Sequence, residues 1–267
     1  LHFENTQKSL YDIVIFDIEN KQIAKRIPLH KTGPNGLPAV YGSRPSPDSK
    51  QILISQNNIG RLSTINNQGE VVHNYPVKTP EGRFTTFFFF FYYNAPAFVK
   101  DSCIFLNQGI FKPNMKREDW PQTHMFASQN LETGKFEWVP IFYPPIFKEE
   151  YENIDGGYGF SYDYNYKESR LVCGFFGYDS LMVTDDLKHI RWYNAKSKYL
   201  KSMKPKLGNA MAGINSIIEF CEAPMYWHIM YDKYRDVYYR FAEMPYKLAP
   251  NESPMTNPKE RSSPSLY

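Results

Sequence analysis

Residues Gly36 to Pro76 constrain the fold more than any other stretch. An apolar segment (Ala39 to Tyr41) leads into the turn PSPDSK, and a second apolar segment follows (Gln51 to Ser55). Gly60 to Ile65 makes a third, the turn NNQGE comes next, and Val71 to Tyr75 makes a fourth. Asp, Asn, Pro and Gly supply the dihedrals that reverse a chain, and apolar runs this short are strand-sized. Four strands so joined form one antiparallel meander of about forty residues, the size of a β-propeller blade.

The same grammar recurs. FDIENKQIAKRIPL, STINNQGEVVHNYPV, QNLETGKFEWVPI and VTDDLKHIRWYNA each run an apolar strand into a short polar turn and out along an alternating strand. With Asp17, Asn66, Asn130 and Asp185 taken as equivalent, the spacings are 49, 64 and 55 residues, a loose period suited to a repeat with variable loops. A second hairpin type falls between them: AVYGSRPSPDSKQILIS, AFVKDSCIFL, YGFSYDYNYKESRLVCGF and YWHIMYDKYRDVYYRFA. Alternating the two types gives the outer half of one blade at 11–29, whole blades at about 37–77, 95–143 and 156–195, and an inner half-blade at about 225–243. A β-sandwich shares the strand spacing but does not require polar turns to return in phase. The expectation is therefore all-β: a propeller of four-stranded antiparallel blades over 1–243, an incomplete six-bladed ring. Residues 244–267, rich in Pro, Ser and charge, read as a loop or tail. The half-blades at both ends favour a truncated chain over a closed four-bladed one.

Composition agrees with strands and turns. Aromatics are 17% of the 267 residues, and Gly and Pro number 15 and 20. Net charge is +3 with no basic stripe, which argues against nucleic acid as a partner. Cys103, Cys173 and Cys221 lie on apolar segments without zinc-ligand spacing and read as buried small hydrophobes. The most apolar run, Phe87 to Tyr93, is far shorter than the roughly twenty residues of a spanning helix. A short helix is expected within Leu200 to Glu222.

GPNGLPAVYGSRPSPDSKQILIS and YDKYRDVYYRFAEMP resemble the uncharacterised six-bladed propeller lipoproteins of Bacteroides-type bacteria, a domain of unknown function. The resemblance covers most of the chain and rests on structural turns, so it speaks to fold and hardly to activity. It implies a secretory signal and an N-terminal lipid anchor outside this chain, and so a place in the cell envelope or periplasm.

Propeller ligands commonly sit over the central channel, which places Asn35, Asp155, Tyr158 and Glu222 in loops at its mouth, with Arg44, Asp163 and His228 nearby. Carboxylates and an Asn carbonyl suit a divalent cation, the one cofactor the sequence raises. Against that, Asn and Gly serve turn geometry, and acids are usually solvated. His228, within YWHIMY, reads more naturally as a core histidine than as a base. Phe89, Phe91, Tyr92 and Tyr93 form a partner surface if their segment is exposed, and a strand between sheets if it is buried. No HExxH, GxSxG, P-loop or GxGxxG pattern occurs, so no residue is assigned to catalysis. The sequence thus favours a non-catalytic module that binds a protein, peptide or glycan. A metal-dependent, lactonase-like hydrolase using Asn35, Asp155, Asp163 and Glu222 is the alternative.

Overall fold

The computed structural model describes residues 2–7, 10–40, 42–46, 50–56, 60–77, 97–107, 121–144, 160–200 and 224–244. The run Phe87 to Tyr93, the segment 201–222 in which a helix was expected, and residues 245–267 lie outside them. Among the described residues every long element is a strand, and every ladder between named strands is antiparallel.

Strands β1 (His2–Gln7), β2 (Leu10–Asp17) and β3 (Gln22–His30) form a three-stranded sheet. A four-stranded meander follows: β4 (Gly42–Pro45), β5 (Ile52–Gln56), β6 (Arg61–Ile65) and β7 (Val71–Pro76). The next comprises β8 (Phe98–Lys100), β9 (Cys103–Asn107), β10 (Phe126–Asn130) and β11 (Phe136–Trp138). A third comprises β12 (Phe160–Asn165), β13 (Arg170–Phe175), β14 (Ser180–Thr184) and β15 (Arg191–Asn194). Strands β16 (Met225–Asp232) and β17 (Val237–Glu243) pair as a two-stranded sheet. The chain is all-β and built from propeller-type blades. It divides into two compact units, one holding β1–β11 and the other β12–β17.

In the first unit the two central strands of the β4–β7 sheet, β5 and β6, are buried on both faces. Side chains alternate along β5, so Ile52 and Ile54, with Ile65, pack on Ile13, Ile27 and Leu29 of the three-stranded sheet and on Leu37. Leu53 and Leu62 point the other way, onto Ile104, Leu106 and Ala127 of the β8–β11 sheet. That two-sided burial explains why β5 reads as a continuous apolar run. In the second unit Val172, Val183 and Leu181 pack against Ile229 and Tyr238. Gly174 lies directly beneath Ile229, where a Cβ would come within 2.8 Å of Cγ1.

Six of the strand connections share one device, an Asx turn, in which a side-chain oxygen accepts from backbone N–H groups two to four residues on. Asp17 accepts from Glu19 and Asn20, Asn66 from Gln68 and Glu70, and Asn130 from Glu132 and Thr133. In the fourth outer turn the residue is Asp186, which accepts from Lys188 and His189. Asp185, which the sequence pattern places there, instead pairs with Arg170 and Arg191 at 2.8 and 2.5 Å. Two of the inner hairpins use the same turn, at Asn165 and Asp232. One strand is displaced: the segment expected at Ala39 to Tyr41 gives way to β4 at Gly42–Pro45. Ser46 and Gln51 close that turn with backbone and hydroxyl hydrogen bonds. Their closure sets the register Pro45 to Ile52, so polar residues rather than Ala39 and Val40 pair with β5.

Candidate functional site

Three of the polar residues that sequence reasoning aims at a channel lie on the first strands of their sheets: Arg44 on β4, Asp163 on β12 and His228 on β16. On β4, the half-buried Arg44 donates from Nη1 to the Ala97 carbonyl at 3.0 Å, beside β8 of the neighbouring sheet. On β12, Asp163 accepts from the Tyr164 and Tyr231 backbone N–H groups at 2.8 and 2.9 Å. Ser161, one side-chain repeat earlier, donates to the Trp227 carbonyl at 2.6 Å and accepts from Ile229 N–H at 2.9 Å. The β16–β17 register slips between Tyr226 and Ile229, and Ser161 takes up backbone groups at that irregularity. Charge and hydroxyl on the first strands therefore tie sheet to sheet.

Asn35, in the connection after β3, accepts from Val71 N–H at 3.3 Å. Val71 begins the fourth strand of the sheet whose first strand holds Arg44, three strand spacings or about 14 Å away. Asn35 and Arg44 thus sit at opposite margins of one sheet. Asp163 and His228 share the second unit, on β12 and β16. The His228 ring lies near Trp227 and Phe241, and burial holds its pKa below the usual imidazole value, so it is neutral at neutral pH. Asp155, Tyr158, Glu222, Phe89, Phe91, Tyr92 and Tyr93 lie outside the described residues. Among the described residues, no three His, Cys, Asp or Glu side chains cluster to hold a metal ion, and no helix is long and apolar enough to cross a membrane. Cys173 is fully buried, which pushes its thiol pKa well up; half-buried Cys103 receives a bond from Asn130 Nδ2.

Sequence reasoning missed Arg240. Its guanidinium donates to the carbonyls of Phe175, Tyr178, Asp179 and Ala195 and stacks 3.4 Å from the Tyr226 ring centroid. Tyr226 in turn donates to Asp179 and accepts from Ser197 N–H. Burial brings Arg240 down to about 10, still cationic at neutral pH. A lone charge on the Tyr238–Ala242 side of a strand otherwise rich in aromatics was the available signal. A second missed feature is the chain Gln56 Nε2 to Ser63 Oγ to Asn74 Oδ1, at 2.7 and 2.6 Å, crossing β5, β6 and β7.

The model of the domain of unknown function DUF4221 matches residues 1–265. The chain belongs to the DUF4221 family. A crystal structure of a DUF4221 member from Bacteroides vulgatus is 81% identical, with TM-score 0.87, over 97% of this chain and 71% of that one. A virginiamycin B lyase from Staphylococcus aureus aligns over 92% of this chain and 70% of its own, at 12% identity and TM-score 0.41. No curated protein matches.

Proposed function

We propose that this DUF4221 chain is a non-catalytic binding or scaffold module of the cell envelope that engages a protein, peptide or glycan. The carrying observation is the engagement of Arg44 and Asp163. These charged groups on first strands bond to the backbone of a neighbouring sheet, so they act as fasteners and not as a general acid, base or metal ligand. Exposed Arg191, Trp192 and Tyr193 on the outer strand β15 supply the contacts of a binding surface instead. The envelope location and lipid anchor rest on the resemblance to propeller lipoproteins.

The test is to screen purified protein on glycan and peptide arrays alongside metal analysis and ester and lactone turnover. The expected result is retention of a ligand without turnover. Hydrolysis that copurifies with a stoichiometric divalent ion and is lost on chelation sinks the module reading. Labelling of the protein in the native bacterium with radioactive palmitate tests the anchor; an unlabelled, soluble pool removes it.

A further inference from the structure

Building on the module reading, we infer that the strip Arg191–Tyr199, along and beyond β15, is a docking surface for an anionic polysaccharide. Strand β15 is outermost in its sheet, and all four of its residues are exposed. From Ile190 to Leu200 the chain carries Arg191, Lys196 and Lys198 and not one acidic residue. Within the same stretch three rings are open to solvent: Trp192 at 42%, Tyr193 at 50% and Tyr199 at 62%.

Single exposed rings need no explanation, but three within eight residues do. The other last strands of the sheets lack the combination. Strand β3 carries Lys25 and Arg26 with no Phe, Tyr or Trp, β7 has no Lys or Arg, and the rings of β11 are half-buried. Strand β17 exposes Tyr239 and Phe241, but its one cation, Arg240, is engaged by four carbonyls and it also carries Glu243. The strip is also held in place. Trp192 lies 6.1 Å from the Phe175 ring and 5.9 Å from Tyr178, Arg191 is bonded to Asp185, and Lys198 sits over Tyr199. Neighbouring positions project to opposite faces, so Trp192 and Tyr193 flank the edge of the sheet.

The partner chemistry follows from these groups. Pyranose rings present C–H faces that stack on indole and phenol rings, and their carboxylates or sulfates meet Lys ammonium groups. Lys and Arg along an edge oppose addition of a peptide strand, so a ligand read by side chains fits better than one read by a backbone ladder.

The test uses the full chain on immobilised heparin and polygalacturonate, with neutral dextran as reference. Wild type should be retained on the acidic polymers and released by salt. Trp192→Ala with Tyr199→Ala should weaken retention about tenfold, and Lys196→Glu with Lys198→Glu should abolish it. Lys25→Glu on β3 should leave it unchanged. Tyr199→Ala alone, at an exposed site, guards against misfolding and should weaken retention with an unaltered melting temperature. Equal loss from Lys25→Glu with none from the ring variants reduces binding to bulk charge and overturns the proposal. Capture of an acidic peptide or anionic vesicles by the same residues, with no polysaccharide bound, overturns the glycan assignment while the module reading stands. Retention on none of these surfaces overturns the docking proposal alone, because the module reading is decided by the arrays and the turnover assays.

Discussion

Gly134 and Lys21 occupy the same position in their hairpins, four residues after the Asx residue, with φ of +71° and +53°. Only glycine takes that left-handed conformation without strain. Nothing lies within 4 Å of a Cβ built on Gly134, so Gly134→Ala isolates the backbone cost, and urea unfolding should show a loss of about 1 kcal/mol. Lys21→Gly relieves the same strain and should raise stability by a few tenths to about 1 kcal/mol. No change in either variant would mean that these turns relax freely. Arg240 has larger consequences, because its removal takes a charged donor from four carbonyl oxygens of the 175–195 segment, of which those of Phe175 and Asp179 keep a backbone N–H. Arg240→Met should cost about 3–5 kcal/mol. Arg240→Lys should recover only part of this, since a point ammonium cannot reproduce the planar fork. Near-wild-type denaturant midpoints in both variants would show the cage to be dispensable.

Sheet packing depends on faces that single strands declare poorly. The alternating runs and polar turns were legible because a hairpin is a local object: its Asx residue and its strands lie within a dozen positions. The turn geometry also limited that reading. Asp185 and Asp186 are equivalent as letters, and only the ion pairs of Asp185 with Arg170 and Arg191 distinguish them. The register of β4 likewise comes from Ser46 and Gln51, not from the apolar Ala39 and Val40. The candidate site was less legible still. Asp163 meets its partner Tyr231 at a separation of 68 residues. A carboxylate facing a ligand and one facing a neighbour's backbone look identical in sequence. Gly174 shows the same limit, since its need to be glycine comes from Ile229 in another sheet. Gly174→Ala should cost about 1–3 kcal/mol through overpacking. Pairing it with Ile229→Val, which removes a methylene at the point of contact, should restore part of the loss; simple additivity of the two would show that they do not touch.

At the scale of the whole molecule, acid stability should fall in two steps of different origin. Burial holds the His228 pKa below its unfolded value of about 6.5. Between those two values the unfolded chain binds a proton that the folded chain refuses, so stability is lost as pH falls below about 6.5 and until the folded pKa is passed. The carboxylates act lower. Asp185 is depressed chiefly by its hydrogen bond from Arg170, Asp17 by Asn20, and Asp232 by Arg235. Their stabilisation is complete above the unfolded value of about 3.9 and disappears as pH drops through the lower folded values. Urea midpoints measured across pH should therefore decline gently below about 6.5 and steeply below about 4. His228→Gln should flatten the first decline and leave the second. Asp185→Asn should weaken the second alone. Salt separates the two as well, because the Arg170, Asp185 and Arg191 groups are partly exposed and screened, whereas desolvation of the half-buried His228 ring responds little to salt. A first decline that survives His228→Gln, or that fades with added salt, would move its origin from the imidazole to surface charge.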